Sequence, residues 1–376
     1  MVKVNLNSFS PTLCLTHDCN LNCIYCYQHH EKNKRMSLET ARRCIDWIFE
    51  NIPLGLDGVA INFIGGEPLL EFELIQQIYE YASLKEGDKL FFATTNGTIR
   101  HKKMKKWFYQ HRENFVLGLS LDGKPLTHNH NRNNSFSKID IDFFLKTWPH
   151  QGIKMTLSEF SLNHLAEDII FLHSLGFKEI RGVNIFEGNF DWSASKFIEA
   201  LIPQLEKLVE FYVENDKLEI NQMLGRSLEI CEIRDSSKKW CGIGSGAIFF
   251  DTDGTKLPCP FVTPMTFSKE ELENIGKTDF YNENNFIDDD CFLNCYIYPI
   301  CPNCAGANYL TQKSFKMRDK SKCKLQKLIT LYVAELFARR IVKNPNSFDE
   351  ARLYHLINAI KKIKTIFLPE FEEYIK

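Results

Sequence analysis

The sequence predicts an α/β fold: a partial, TIM-like (β/α)6 barrel, then a small cysteine-rich domain, then C-terminal helices. Two observations carry this. Between residues 11 and 215, short apolar runs alternate with longer helical ones six times. The thirteen cysteines fall in two groups, with none between Cys44 and Cys231. Strand–helix alternation marks parallel βαβ units, whose right-handed crossovers curl into an open or closed barrel.

The expected strands lie at 12–16, 58–64, 89–95, 115–121, 153–157 and 179–186, with helices at 37–51, 68–83, 100–111, 140–148, 162–175 and 193–215. The second, third and fourth strands run into Gly65-Gly66-Glu67-Pro68, Thr95-Asn96-Gly97 and Ser120-Leu121-Asp122-Gly123. Such strand ends form the ligand site of parallel α/β folds. Asn-Gly and Asp-Gly also suit ordinary turns, but three such loops on one rim point to a site. Past residue 215 the alternation stops. Residues 231–325 read as a small fold held by metal, and 269–290, with eight acids against two lysines, as a solvated loop. Ser347 and Glu350 read as a capping box ahead of a helical stripe of Leu353, Leu356, Ile357, Ile360 and Ile363 that packs on the body. The expected domains are a barrel over 1–215, a linker over 216–236, a cysteine-rich domain over 237–325 and helices over 326–376.

Composition bounds the function. At 44% hydrophobic and 25% charged, the 376 residues suit a globular chain of two or three domains. A net charge of −2 gives no reason to expect a nucleic-acid or anionic-membrane partner. Lys102, Lys103, Lys105 and Lys106 read as the solvated face of a helix. No run reaches the ~18 apolar residues of a membrane span, and residues 1–11 lack a signal peptide's apolar core. A cytoplasmic location is therefore expected, where clustered cysteines are better metal ligands than disulfide partners.

Cys19, Cys23 and Cys26 follow the first strand directly, on the rim of the glycine-rich loops. Three thiolates in one loop can wrap a [4Fe–4S] cube and leave its fourth iron open to a substrate's amino and carboxylate groups. Cys14, inside the strand, and Cys44, inside a helix, read as core residues. Structural zinc completed by His17 or His29 is the alternative, but zinc does not account for the Gly-Gly-Glu loop. His17, His29 and His30 otherwise read as surface or packing residues.

The stretch Cys19-Asn20-Leu21-Asn22-Cys23-Ile24-Tyr25-Cys26 resembles the signature of the radical S-adenosylmethionine superfamily. The resemblance implies S-adenosylmethionine as cofactor, a radical-generating [4Fe–4S] cluster on Cys19, Cys23 and Cys26, and Tyr25 near the adenine. It implies further that Gly65, Gly66 and Glu67 hold the methionine amino group, that Ser120 meets the ribose, and that Arg132 steadies the carboxylate with its guanidinium fork. Asn96 and Asp122 are added as cofactor contacts, though each also suits its turn.

Cys241, then Gly254-x4-Cys259, then Cys291-x3-Cys295-x5-Cys301-x2-Cys304, then Cys323 is similar to the SPASM domain. The family pattern has x2 and x3 around the central x5, where this chain has x3 and x2. The resemblance implies two auxiliary [4Fe–4S] clusters. One would use Cys241, Cys259 and Cys304, with Cys231 available as fourth ligand; the other would use Cys291, Cys295, Cys301 and Cys323. Two structural zinc sites are the competing reading of the same spacings. Sulfatase maturases of this group carry an aspartate after the second cysteine, whereas here Pro260 follows Cys259, and Asp251 and Asp253 lie on its other side.

The chain is therefore expected to cross-link a ribosomally made peptide oxidatively, through a thioether or a carbon–carbon bond. Cys14-Leu15-Thr16-His17-Asp18 together with Phe92-Ala93-Thr94-Thr95-Asn96-Gly97-Thr98 resembles maturases paired with short Cys-rich repeat precursors. The implied partners are that precursor peptide and an external electron donor such as a flavodoxin or ferredoxin. With eighteen residues ahead of Cys19, no leader-binding winged helix is expected. Formylglycine formation, and a non-catalytic iron–sulfur carrier or zinc-binding module, remain the other readings. No catalytic acid or base is assigned.

Overall fold

The computed structural model describes residues 9–56, 58–185, 190–233, 239–244 and 246–375. Residues 1–8 and 186–189 of the expected barrel, and 234–236 of the expected linker, lie outside them. The chain forms two compact units. One comprises residues 1–121, 131–153 and 242–282, the other 122–130, 154–241 and 283–376.

In the first unit, strands β1 (Thr12–Thr16), β2 (Gly58–Gly65), β3 (Asp88–Thr95) and β4 (Phe115–Leu119) pair in parallel in chain order. The connecting helices Leu38–Glu50, Phe72–Ser83 and Lys102–Gln110 lie where the sequence pattern puts them. Phe63, Phe91 and Phe115, one from each of three neighbouring strands, are fully buried with ring centroids 5.8–6.2 Å apart. Tyr79, Trp107 and Phe108 from the helices close on that aromatic layer. Burying an aromatic side chain contributes about 1.5–3 kcal/mol, so the layer fixes the sheet against its helices and holds the strand ends rigid.

Two strands of this sheet were not expected. Phe249–Phe250 (β7) pairs in parallel with the free edge of β1, and Lys256–Leu257 (β8) folds back on it antiparallel, giving the order β4-β3-β2-β1-β7-β8. Their signal in the sequence is an Asp-Gly turn after two phenylalanines: Gly254 sits at φ +87°, and its amide donates to Asp251 O at 2.8 Å. Cys14, in β1, is buried against Phe249 and Met265 as a core residue.

In the second unit the expected fifth and sixth strands shrink to two residues each, β5 (Ile153–Lys154) and β6 (Ile180–Arg181), and form a separate two-stranded sheet. The helices Leu165–Ser174 and Lys196–Glu214 follow as expected. The helix Cys323–Lys343 packs against Lys196–Glu214 and against Glu350–Phe367. Arg339 pairs with Glu210 at 2.6 Å, and Arg340 and Lys343 donate to the last carbonyls of Lys196–Glu214, where cations complement the helix dipole. The stripe on the last helix is real: Leu356, Ile360 and Ile363 are buried. Its cap is not the expected one. Ser347 ends a short 3-10 turn, and Asp349 caps the helix by accepting the Arg352 amide at 2.9 Å.

The segment expected as a loop at 269–290 is partly helical as well. In the first unit Ser268 and Glu271 form a capping box on Lys269–Ile275, and in the second Asp288 caps Asp289–Asn294. The acids that suggested a loop serve helix N-termini, where negative charge is favourable. Among the described residues no helix is long and apolar enough to cross a membrane.

Candidate metal and cofactor site

The first cysteines sit on a compact loop whose ends meet. His17 donates its amide to Lys34 O at 2.9 Å, and Met36 donates to Leu15 O at 2.9 Å, so residues 15–17 and 34–36 close its base. Behind it, Tyr27 stacks on Phe261 at 4.2 Å, and the His29 amide donates to Met265 O at 2.6 Å. Below the loop His17 is wholly buried, with Nε2 2.6 Å from an equally buried Asp251 carboxylate on the β7–β8 turn. Burial pushes that carboxyl up, but the hydrogen bond and charge of His17 outweigh it and hold Asp251 below its ordinary range. His30 reaches Cys26 Sγ at 3.5 Å through Nε2 and the His17 carbonyl at 3.1 Å through Nδ1.

The three thiols are electrostatic neighbours. Burial pushes Cys19 up to about 12, with Glu67, Cys23 and Cys26 adding to the rise and the Leu21 amide opposing it. A thiol held protonated in this way must release its proton on ligating a metal. Soft sulfur donors in a single loop suit an iron–sulfur cube.

Gly65 and Gly66 press on this loop. The Gly66 amide donates to Thr16 O at 3.0 Å and the Glu67 amide to Asp18 O at 2.9 Å. A Cβ on Gly66 would lie 2.3 Å from Asp18 O and 2.8 Å from Cys19 Cβ, so only glycine allows the approach. Glu67 is buried, and both its oxygens are engaged: Oε1 accepts from Thr95 Oγ1 (2.7 Å) and the Leu69 amide (3.1 Å), Oε2 from the Asn96 amide (2.8 Å). The Asn96 side chain donates to Asn20 Oδ1 at 2.8 Å. Thus the β2 end holds the β3 end, and the β3 end holds the cysteine loop. Arg132 lies with its guanidinium 5.3 Å from the Tyr25 ring centre, and the Ile24 amide donates to Asn131 O at 3.0 Å. Ser120 is buried and donates its amide to Thr95 O at 2.9 Å. Of the expected cofactor residues, the structure brings Tyr25, Gly65, Gly66, Glu67, Asn96 and Arg132 around the cysteine loop.

Asp122 stands apart, in the second unit. Its Oδ1 accepts the Thr156 amide at 3.0 Å. Beside it, Gly123 at φ +115° leaves room for Asp168, which a Cβ would meet at 2.3 Å. Burial, with Asp122 adding, pushes the Asp168 carboxyl up to about 7 against the Lys124 amide it accepts at 2.8 Å. An unfolded aspartate titrates near ~3.9, so between ~4 and about 7 the native state holds a proton that the unfolded state has lost. Stability therefore falls as pH rises through that window and levels off above it. Asp168→Asn keeps the amide acceptor and removes the titration. It is expected to be more stable than the parent by on the order of 2 kcal/mol at pH 8, and no more stable near pH 4. Urea midpoints at the two pH values check this; an equal difference at both refutes it.

The second cysteine group divides between the units: Cys259 belongs to the first, Cys231, Cys241, Cys291, Cys295, Cys301, Cys304 and Cys323 to the second. Cys291, Cys295, Cys301 and Cys323 line one cavity. Cys231 is buried beside Cys295. The sequence reading missed two residues of this cavity's surroundings, Arg226 and Gln326. Gln326 is one helical turn past Cys323, which is the only local signal; Arg226 has none.

Residues 13–138 match the radical SAM superfamily. Over 343 residues the chain is 21% identical to the radical SAM cyclopropyl synthase TigE of Paramaledivibacter caminithermalis, covering 84% of this chain and 72% of that protein. Over 321 residues it is 24% identical to the cysteine-type anaerobic sulfatase-maturating enzyme of Clostridium perfringens, covering 75% and 84%. Its fold is similar to that of native anSMEcpe solved with bound AdoMet and a peptide, with a TM-score of 0.64 at 20% identity over 94% of this chain and 99% of that one.

Proposed function

We propose that this chain, which carries a radical SAM domain, oxidatively modifies a ribosomally made peptide by installing a thioether or carbon–carbon cross-link. The observation that carries the reading is the loop of Cys19, Cys23 and Cys26, clasped by Gly66 and by the Glu67–Asn96–Asn20 relay. Cys19, Cys23 and Cys26 would hold a [4Fe–4S] cube, which with S-adenosylmethionine would supply a 5′-deoxyadenosyl radical. The remaining cysteines of 231–323 would hold auxiliary clusters. Gly65 and Gly66 let the loop sit against the strand ends without a side chain between. Arg132, next to Tyr25, presents a guanidinium for the methionine carboxylate. The buried aromatic layer packs the strands that carry these loops against their helices, which supports the fixed positioning that radical chemistry requires.

The reaction balances as a loss of two hydrogens per bond. One leaves the peptide carbon as a hydrogen atom to the deoxyadenosyl group. The attacking thiol, or the attacked C–H for a carbon–carbon bond, gives up a proton. The electron left over would return to the external carrier, a donor such as a flavodoxin or ferredoxin, that supplied the one electron spent in cleaving S-adenosylmethionine. Formylglycine formation is the second reading, favoured by the likeness to the sulfatase-maturating enzyme. Two features weigh against it. Pro260 follows Cys259 where that group has an aspartate, and Asp251, close by in sequence, is buried and already paired with His17.

Co-expression with a short cysteine-containing candidate precursor peptide tests the proposal. The expected product is lighter by two hydrogens per modification, and unmodified when the three loop cysteines are alanines. An unchanged peptide, with a sulfatase-derived cysteine peptide converted to formylglycine instead, overturns it.

A further inference from the structure

The cavity lined by Cys291, Cys295, Cys301 and Cys323 carries two electrostatic defects that one bound group would cure. The first is on Gln326, which is 2% exposed and lines the cavity. Its Oε1 accepts from Arg226 Nη2 at 2.6 Å. Arginine has only donors, so the carboxamide's oxygen end must face it and its Nε2 must face elsewhere. That Nε2 is buried and has no hydrogen-bond partner among the described residues. A buried donor left unsatisfied costs about 1–3 kcal/mol, and native structures seldom tolerate one. Arg318 Nε, from another residue lining the cavity, is likewise buried and unpartnered.

The second defect is on Arg226 itself, 7% exposed. Its guanidinium donates to Met223 O at 3.0 Å, Thr330 Oγ1 at 3.3 Å and Gln326 Oε1 at 2.6 Å, all neutral acceptors. Among the described residues no carboxylate pairs with it; its electrostatic neighbours are the Cys301 and Cys231 thiols. Arginine is not deprotonated in proteins, so the buried guanidinium is a cation. A buried cation with no counter-ion costs several kcal/mol. Thiols turned to thiolates by a metal would supply both the missing anion and the missing acceptor.

We propose that Gln326 and Arg226 are positioning residues for an iron–sulfur cluster held by Cys291, Cys295, Cys301 and Cys323, Gln326 Nε2 donating to a cluster sulfur and Arg226 balancing its charge. This rests on the reading that these four thiols hold such a cluster. Four thiolates around an iron–sulfur core leave it anionic, and reduction adds another negative charge. A fixed cation and a hydrogen bond to sulfur therefore favour the reduced form and raise the potential. Arg226 also locks the carboxamide, since turning it over would set Nε2 against a guanidinium.

The experiment is an EPR-monitored redox titration of the full-length reconstituted protein, in a Cys19/Cys23/Cys26→Ala background that removes the first cluster's signal. The signal under study is the one lost in Cys323→Ala. Gln326→Leu removes the donor. Gln326→Glu removes it and also gives Arg226 a carboxylate partner. Both are expected to keep full iron content and to move the midpoint to more negative values, Gln326→Glu further. A tenfold change in the one-electron equilibrium would read as about 59 mV. A wild-type midpoint in both variants at full iron content overturns the pair's role while leaving the cluster in place. If no iron signal depends on Cys323, the cluster reading fails, and the role of the pair with it.

Discussion

With Cys19, Cys23 and Cys26 all replaced by alanine, release of 5′-deoxyadenosine from S-adenosylmethionine is expected to fall by at least ~10³-fold, because the cofactor carries the hard chemistry and the protein has no substitute for it. The three side chains differ in their surroundings, which sharpens the expectation. Cys26 sits 3.5 Å from His30 Nε2. A single Cys26→Ala leaves that imidazole to serve as a replacement ligand. Cys19 is pressed by the Gly66 backbone, so its alanine variant should lose iron without unfolding the loop. Anaerobic turnover with chromatographic quantitation of 5′-deoxyadenosine measures the effect. Retention of more than a tenth of wild-type release by the triple variant would exclude this loop as the site of the radical-generating cluster.

His17→Ala is expected to destabilise the protein by about 1–3 kcal/mol, the usual cost of leaving a buried hydrogen-bonding group without its partner. Asp251 is left buried without its 2.6 Å partner. The sign of the pH dependence follows from its lowered pKa. A depressed carboxyl contributes stability above its unfolded value of ~3.9, and that contribution is lost as pH falls through the folded value. The deficit of His17→Ala should therefore be full at pH 7 and shrink in strong acid. The double variant His17→Ala/Asp251→Ala should be less destabilised than the sum of the singles. Urea unfolding of the four proteins at pH 7 settles it, strict additivity being the adverse result. Since His17 is two residues from Cys19, the single variant should also bind iron more weakly after reconstitution.

What the sequence reveals and conceals follows from the range of each interaction. Cys19, Cys23 and Cys26 are legible because three ligands in eight residues need no tertiary information. The loops at Gly65-Gly66 and Thr95-Asn96 are legible because glycine and asparagine mark strand ends. That Glu67 would spend both oxygens on Thr95, Leu69 and Asn96 is not, since it depends on two loops meeting. The strands β7 and β8 are invisible to periodicity because two residues define no period. The expected fifth and sixth strands fail for the converse reason: their apolar runs are long enough to read as strands, yet only two residues of each pair. The helix cap at Asp349 was misplaced by two residues because Ser347 offers the same chemistry. Arg226 and Gln326 lie 100 residues apart, and neither carries a local mark of the other.

The pairing of β7 with β1 also sets an order of events during synthesis. Thr12 and Leu13 wait for Phe249 and Phe250, so one edge of the central strand of this sheet stays open while more than two hundred residues are added. At ~5–20 residues per second that interval is roughly 12–47 s. An open strand edge invites pairing with another chain, and this one directly precedes the loop bearing Cys19. The nascent chain thus reaches the ribosome exit with the Cys19, Cys23 and Cys26 thiols and an unguarded strand in the same place. Both are secured only when the hairpin at 249–257 arrives, and the His17–Asp251 bond latches them together.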